Sequence, residues 1–278
     1  DATDAEVEYV REYLGLNKSL IAQYGSWLGR LLQGDFGISY FMSGVKVEQL
    51  ILQRIPATVE LTVTAIILAL LISIPMGILA ALRRGKFLDN IVMGFSTVSI
   101  AVPNFWLGII LLLIFALWLD WLPAGGRQVT FLADPVLGLK HLILPAFSLA
   151  LYTAAILVRF IRASMLEVLH QDYIRTAYSK GLPFQKILYK HALRNALIPA
   201  VTVLGVQLGR LLTGAIVVEL VFSWPGLGQL ILGAITGRDY LLVQGAIMIF
   251  VVIIVTTNLV TDLIYGLLDP RISVSNKP

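Results

Sequence analysis

Cysteine is absent from the 278 residues, and charged side chains make up only 14% of them. The first absence excludes disulfides, thiolate metal sites and cysteine nucleophiles. The second lies well below the roughly 25% of an ordinary soluble domain. With 58% hydrophobic residues and a mean hydropathy of +0.84, a chain of this length has too little interior to hide its apolar side chains from water. A soluble enzyme is excluded, as are disordered, collagen-like and disulfide-rich classes. Neither the nucleotide-binding string Gly-x-x-x-x-Gly-Lys-Ser/Thr nor the zinc string His-Glu-x-x-His occurs. His141, His170 and His191 lie at spacings that make no metal site. Asp35-Phe36-Gly37 spells a kinase metal motif but lacks the loops that accompany it, so the match is chance.

What is present is a set of long uncharged runs. A helix needs roughly 20 apolar residues to cross a bilayer core. Leu61 to Leu82, Ile91 to Leu119 and Tyr240 to Thr261 carry no charge, Leu142 to Val158 is a shorter run, and Asn195 to Val218 contains only Arg210. Five spans are predicted, at about 57–82, 92–119, 141–164, 197–222 and 241–268, with Pro75, Pro103 and Pro145 inside three of them. Ser73, Ser96 and Ser99 read as helix-packing hydroxyls, not nucleophiles.

Basic residues near span ends orient the chain. The loops after the first and third spans and the C-terminal tail hold 12 of the 21 Lys and Arg residues. These faces are expected to be cytoplasmic, with the 269–278 tail inside and residues 1–56 extracytoplasmic. That polar segment needs an export route, so a hydrophobic stretch ahead of Asp1, either a cleaved signal or a sixth span, is expected. Within it, helices are predicted at Ala5–Leu14, Ser19–Gln33 and about Val45–Arg54, with a turn at Gly34-Asp35-Phe36-Gly37.

The cytoplasmic loop 165–196 reads as two short helices joined at Gly181-Leu182-Pro183, since Gly ends one and Pro opens the next. Tyr173 and Ala177 share a face at spacing i, i+4. Taken alone, such a loop is either a basic amphipathic element on lipid headgroups or a rigid plug for a cytoplasmic partner. The run Asp172-Tyr173-Ile174-Arg175-Thr176-Ala177…Lys180-Gly181 resembles the coupling loop of bacterial ABC importer permeases, in the form found in the dipeptide/oligopeptide/nickel branch. Val218-Glu219…Phe222-Ser223-Trp224-Pro225-Gly226-Leu227-Gly228 resembles that branch's extracytoplasmic turn before the last helix. Gln33-Gly34-Asp35-Phe36-Gly37 and Leu268-Asp269-Pro270-Arg271 resemble its N-terminal external region and C-terminal ending. The general superfamily motif opens Glu-Ala-Ala, where this chain has Arg175-Thr176-Ala177.

The resemblance implies an all-α integral membrane fold, a type I ABC importer permease-like bundle in the bacterial inner membrane. It implies a non-catalytic half-pore working with a second homologous permease, two cytoplasmic ATPase subunits and an extracytoplasmic binding protein, with membrane lipid around it and no nucleic acid. No cofactor is expected on this chain; ATP and Mg belong to the ATPases. The site residues it implies are Asp172, Tyr173, Arg175, Thr176, Ala177, Lys180 and Gly181 in the coupling loop, and Ser223, Trp224, Pro225 and Gly226 in the outer turn. Di- or oligopeptides are the expected cargo, with nickel, metal chelates or glutathione as the alternative within the branch. An ion-coupled secondary transporter or channel would need midplane carboxylates, which the span centres lack.

Arg210 in the fourth apolar run must face protein or water, because a central Arg costs about 2.5–3.5 kcal/mol on insertion scales. Gln207 and Gly214 share its face, whereas Glu219 lies opposite. The stripe either lines a pathway or supports an interhelical ion pair with Glu60, Asp262 or a partner subunit. Gly205 and Gly209 form a close-packing Gly-x-x-x-Gly pair.

Overall fold

A computed structural model describes residues 16–268 except 41 and 43, together with 8, 11 and 12. Most of the expected Ala5–Leu14 helix and the 269–278 tail lie outside the described residues.

Helix α1 (Leu20–Leu32) opens on Ser19, whose hydroxyl accepts from the Ala22 amide, and closes at Gln33. After the Gly34–Gly37 turn, β1 (Ile38–Ser39) pairs antiparallel with β2 (Val45–Lys46). The short helix expected at Val45–Arg54 does not exist as a separate element. Val45 and Lys46 are in the hairpin, and Val47 begins α2 (Val47–Leu82), a single 36-residue helix that includes the first span. Pro56 lies between the two elements expected from the sequence. Its missing amide ends helices in water, but in this apolar stack the helix runs through both Pro56 and Pro75.

The second span is not one helix. Helix α3 (Phe87–Ala101) stops at Val102 and Pro103, both extended, and α4 (Asn104–Leu111) continues through a π-helical stretch, Leu112–Trp118. The two halves are bent by 104°. Pro103 supplies no amide and pushes Val102 out of the helical region, so this proline breaks its span where Pro75 does not.

Helix α5 (Pro135–Leu169) starts with Pro at its first position and is capped by Asp134, whose Oδ1 accepts from the Val136 and Leu137 amides. It is the central mast: 78% of its most apolar stretch is buried, against 22% in the last helix. Helix α6 (Asp172–Ser179) follows, and then α7 (Phe184–Val221), which includes a π-helical turn at Ile187–Leu193 and passes through Pro199. The second loop helix predicted after Pro183 is therefore continuous with the fourth span. Helices α8 (Leu227–Thr236) and α9 (Tyr240–Leu268) complete the bundle.

Three apolar layers stack along α2 and α7, the first two of them also against α5. The middle one contains Leu61, Leu142, Leu149, Leu211 and Trp224. At the α6 end, Ile78, Leu157, Ile161, Ile174 and Ile187 form the second. The third joins Val47, Ile51, Leu212, Leu227 and Leu242 at the hairpin and α8. At Gly205 α9 comes so close to α7 that a Cβ would collide with the Thr261 side chain, while Gly209 faces Asn258.

Candidate functional site

Three groups of side chains stand out, one in mid-bundle and one at each end. In mid-bundle, Arg210 of α7 is exposed, and its Nη1 donates to the Tyr152 hydroxyl of α5 at 3.1 Å. It borders two cavities. One, of about 410 Å³, opens at the α3–α4 break and is also lined by Pro103, Asn104, Tyr152 and Thr153. The other, of about 520 Å³, lies between α7 and α9 against Thr202, Asn258 and Thr261. Arg210 is the only charge among the described residues lining either. Its guanidinium is thus a hydrated cation with fixed neutral donors and acceptors beside it, a setting that attracts carboxylates and carbonyls.

The polar stripe read from the sequence separates in the structure. Gln207 is buried away from both cavities, with its Oε1 unbonded, and Gly214 packs against Leu149 and Asn104. The angular offsets of residues three and four positions away turn these two toward neighbouring helices and leave Arg210 alone at the cavities. Glu60 does not serve Arg210 either. Its Oε2 accepts from Arg127 Nε at 2.8 Å and its Oε1 from the Phe131 amide at 2.7 Å. The Asp262 side chain lies outside the described residues.

At the α8 end, the segment Ser223-Trp224-Pro225-Gly226 is mostly enclosed; only Ser223, with a φ of 48°, is exposed. Trp224 Nε1 donates to the Ala57 carbonyl at 2.8 Å, and Arg127 lies over its ring. Glu219, fully buried, accepts from the Thr58 hydroxyl at 2.6 Å and from the Gly228 amide at 2.6 Å. Thr58 in turn accepts from the Leu227 amide at 2.9 Å. Gly226 and Gly228 leave room for the carboxylate that no side chain would. A buried carboxylate is tolerated only when its lone pairs are used, and here it pins α7, α8 and α2 together. Thr58→Val keeps the shape but strands the Leu227 amide and one Glu219 oxygen. Each stranded group costs about 1–3 kcal/mol, so a clearly lower melting temperature is expected for the purified chain in detergent. An unchanged midpoint would show that the network contributes nothing.

At the opposite end, α6 has two different faces. Ile174 and Ala177 are buried in the layer with Ile161 and Ile187, while Asp172, Tyr173, Arg175, Thr176 and Lys180 are exposed. Ala177, grouped by sequence with the presented residues, is thus on the anchoring face. Tyr173 is tethered at its hydroxyl, which accepts from Asn195 Nδ2 at 2.8 Å. Gly181 has a φ of 72° and nothing within 4 Å of where a Cβ would stand, so the reversal into α7 depends on backbone freedom rather than space.

Sequence reasoning missed Thr58, Tyr152, Asn104 and the Glu60–Arg127 pair as members of these groups. Lone polar residues in apolar runs carry no spacing signal, and their partners lie on other helices.

Comparison with known proteins agrees with the geometry. The family described as binding-protein-dependent transport system inner membrane component matches residues 73–274. The chain is 42% identical over 271 residues to the oligopeptide transport system permease protein AppB of Bacillus subtilis (strain 168), covering 97% of this chain and 86% of that protein. It is 40% identical over 281 residues to the dipeptide transport system permease protein DppB of Escherichia coli (strain K12), covering 93% and 83%. Among solved structures, a chain of the MetNI methionine ABC transporter in an inward-facing conformation shares the fold at a TM-score of 0.63 and 17% identity, covering 80% of this chain and 97% of that one. With a family match across most of its length and relatives near 40% identity that are transport permeases, the chain belongs to the inner membrane components of binding-protein-dependent transport systems.

Proposed function

We propose that this chain forms one half of the pathway of an ATP-driven importer of di- or oligopeptides. A second homologous permease completes the pathway, two cytoplasmic ATPase subunits bind at the α6 end, and an extracytoplasmic binding protein delivers cargo at the α8 end. Lys and Arg concentrate on the α6 side, which supports placing that side in the cytoplasm. The naming of relatives for oligopeptides and dipeptides favours peptides over nickel, metal chelates or glutathione.

The observation that carries the coupling part is the two-sidedness of α6. A partner gripping Asp172, Arg175, Thr176 and Lys180 pulls on a helix whose other face, Ile174 and Ala177, is packed between the ends of α2, α5 and α7. Close packing transmits that displacement because cores do not deform freely. Motion at α6 then becomes motion of the helices lining the Arg210 cavities. Arg210 offers passing peptide a carboxylate or carbonyl contact that is weak enough to release.

Reconstitution of all the subunits in proteoliposomes tests this. Uptake of a labelled dipeptide is expected to require ATP, both ATPases and the binding protein together, and to be unaffected by excess nickel or glutathione. Uptake by this chain alone, driven by an ion gradient, would overturn the ATP-driven reading. Competition by glutathione or a nickel chelate would overturn the peptide assignment.

A further inference from the structure

Away from the Arg210 cavities, a groove of about 240 Å³ runs between α2, α3 and α5, lined by Ile72, Met76, Ile91, Phe95, Leu151 and Val158. Its lining presents no polar surface, and Met76, Ile91 and Phe95 are exposed along it. Its floor is Ala154 and Ala155, both buried. The small floor residues leave room between the larger side chains, space suited to a hydrocarbon chain.

All three helices become basic at the same end of this groove. Helix α2 ends in Arg83 and Arg84, α3 is preceded by Lys86, and α5 passes from Val158 directly to Arg159. At 1.5 Å per residue, Arg83 lies about 10 Å beyond Met76 and Lys86 about 7 Å beyond Ile91. The turn carrying them is fastened to α5. Asp89 receives Arg162 Nε at 2.6 Å and Nη2 at 2.7 Å, and also accepts from the Gly85 amide at 2.9 Å. The one carboxylate at this corner is therefore already neutralised by Arg162. Arg83, Arg84, Lys86 and Arg159 are exposed and form no ion pair within 4 Å among the described residues, Arg84 lying near enough to Asp89 to feel its charge.

We propose that this corner is a binding site for an anionic phospholipid. One acyl chain fills the groove between α2, α3 and α5, and the phosphate sits on Arg83, Arg84, Lys86 and Arg159. Basic residues where helices meet the interface attract anionic headgroups, and an apolar groove beside them fixes where the chain lies. A bound lipid would tie α3 to α2 and α5, the two groove helices that pack against α6. The assignment stands on the groove and its charges alone, and does not depend on the cargo or the ATPases.

Native mass spectrometry of the purified full chain in detergent, titrated with phosphatidylglycerol or phosphatidylethanolamine of the same acyl chains, tests it. Phosphatidylglycerol is expected to bind about tenfold more tightly. The combined variant Arg83→Gln, Arg84→Gln, Lys86→Gln and Arg159→Gln changes only exposed side chains and is expected to lose that preference. Ala155→Leu, which fills the groove, is expected to weaken both lipids without removing the preference between them. Equal binding of the two lipids by the unaltered chain would overturn the site. So would a preference that survives in the four-residue variant. Full displacement by millimolar inorganic phosphate would show a headgroup-only site and overturn the role of the groove, as would occlusion of the corner by a partner subunit in the assembled complex.

Discussion

Gly181→Val is expected to uncouple ATP hydrolysis from uptake while leaving the permease folded. The backbone at this position has a φ of 72°. A residue with a Cβ loses about 1–2 kcal/mol there, and a β-branched one has the fewest ways to adapt. Nothing stands within 4 Å of the added Cβ, so the whole effect is backbone strain relieved by rotating α6 relative to α7. A penalty of this size shifts the population of the docking geometry by about tenfold. Uptake per ATP hydrolysed by the reconstituted complex should fall by about that factor, with the melting temperature of the chain nearly unchanged. Gly181→Ala should fall between the two. Full coupling in Gly181→Val would remove this turn from the mechanism.

Arg210→Ala is expected to lower peptide uptake by about ten- to a hundredfold, the loss of one hydrogen bond involving a charged group, about 1.5–3 kcal/mol. Assembly should be preserved, because the side chain is exposed to two cavities and its one described hydrogen bond goes to the neutral Tyr152 hydroxyl. Removing it strands no described carboxylate. Arg210→Lys should recover only part of the rate, since an ammonium cannot make the bidentate contact of a guanidinium, and Tyr152→Phe should have a smaller effect than either. Complex yield and initial uptake rate separate the possibilities. If the Arg210→Ala complex fails to assemble and neutralising Asp262 restores it, the residue is a structural ion-pair partner and the pathway assignment is wrong.

The parts of this molecule that were legible in the sequence are those set by periodicity and length. Apolar runs anticipated the four long apolar helices and the bent pair α3–α4, and the Gly181–Pro183 punctuation located the end of α6. Proline was the weak signal. Pro56, Pro75 and Pro103 look alike in sequence, yet α2 runs through the first two and the third bends its span by 104°. The local signal at the three prolines is the same, and only the fold distinguishes them. The faces of the site behaved in the same way. Helical phase placed Glu219 away from Arg210 correctly, but it grouped Gln207 and Gly214 with Arg210, because an offset of about 40–60° is enough to move a residue from cavity to contact. Thr58, Tyr152 and the Glu60–Arg127 pair depend on contacts between distant segments, and no local pattern announces them.

The central claim is that the exposed face of α6 is what the ATPase grips. The absence of cysteine lets a single introduced thiol report on it without background from this chain. Thr176→Cys, on the exposed face, can be paired with a control, Val98→Cys, on the exposed apolar face of α3. Each would be labelled with a short heterobifunctional reagent, thiol-reactive at one end and photoactivatable at the other, in the reconstituted, transport-active complex. The account predicts a crosslink from position 176 to the ATPase subunit whose yield changes between nucleotide-free and ATP-bound complex, and none from position 98. An active complex in which position 176 never reaches the ATPase would contradict it.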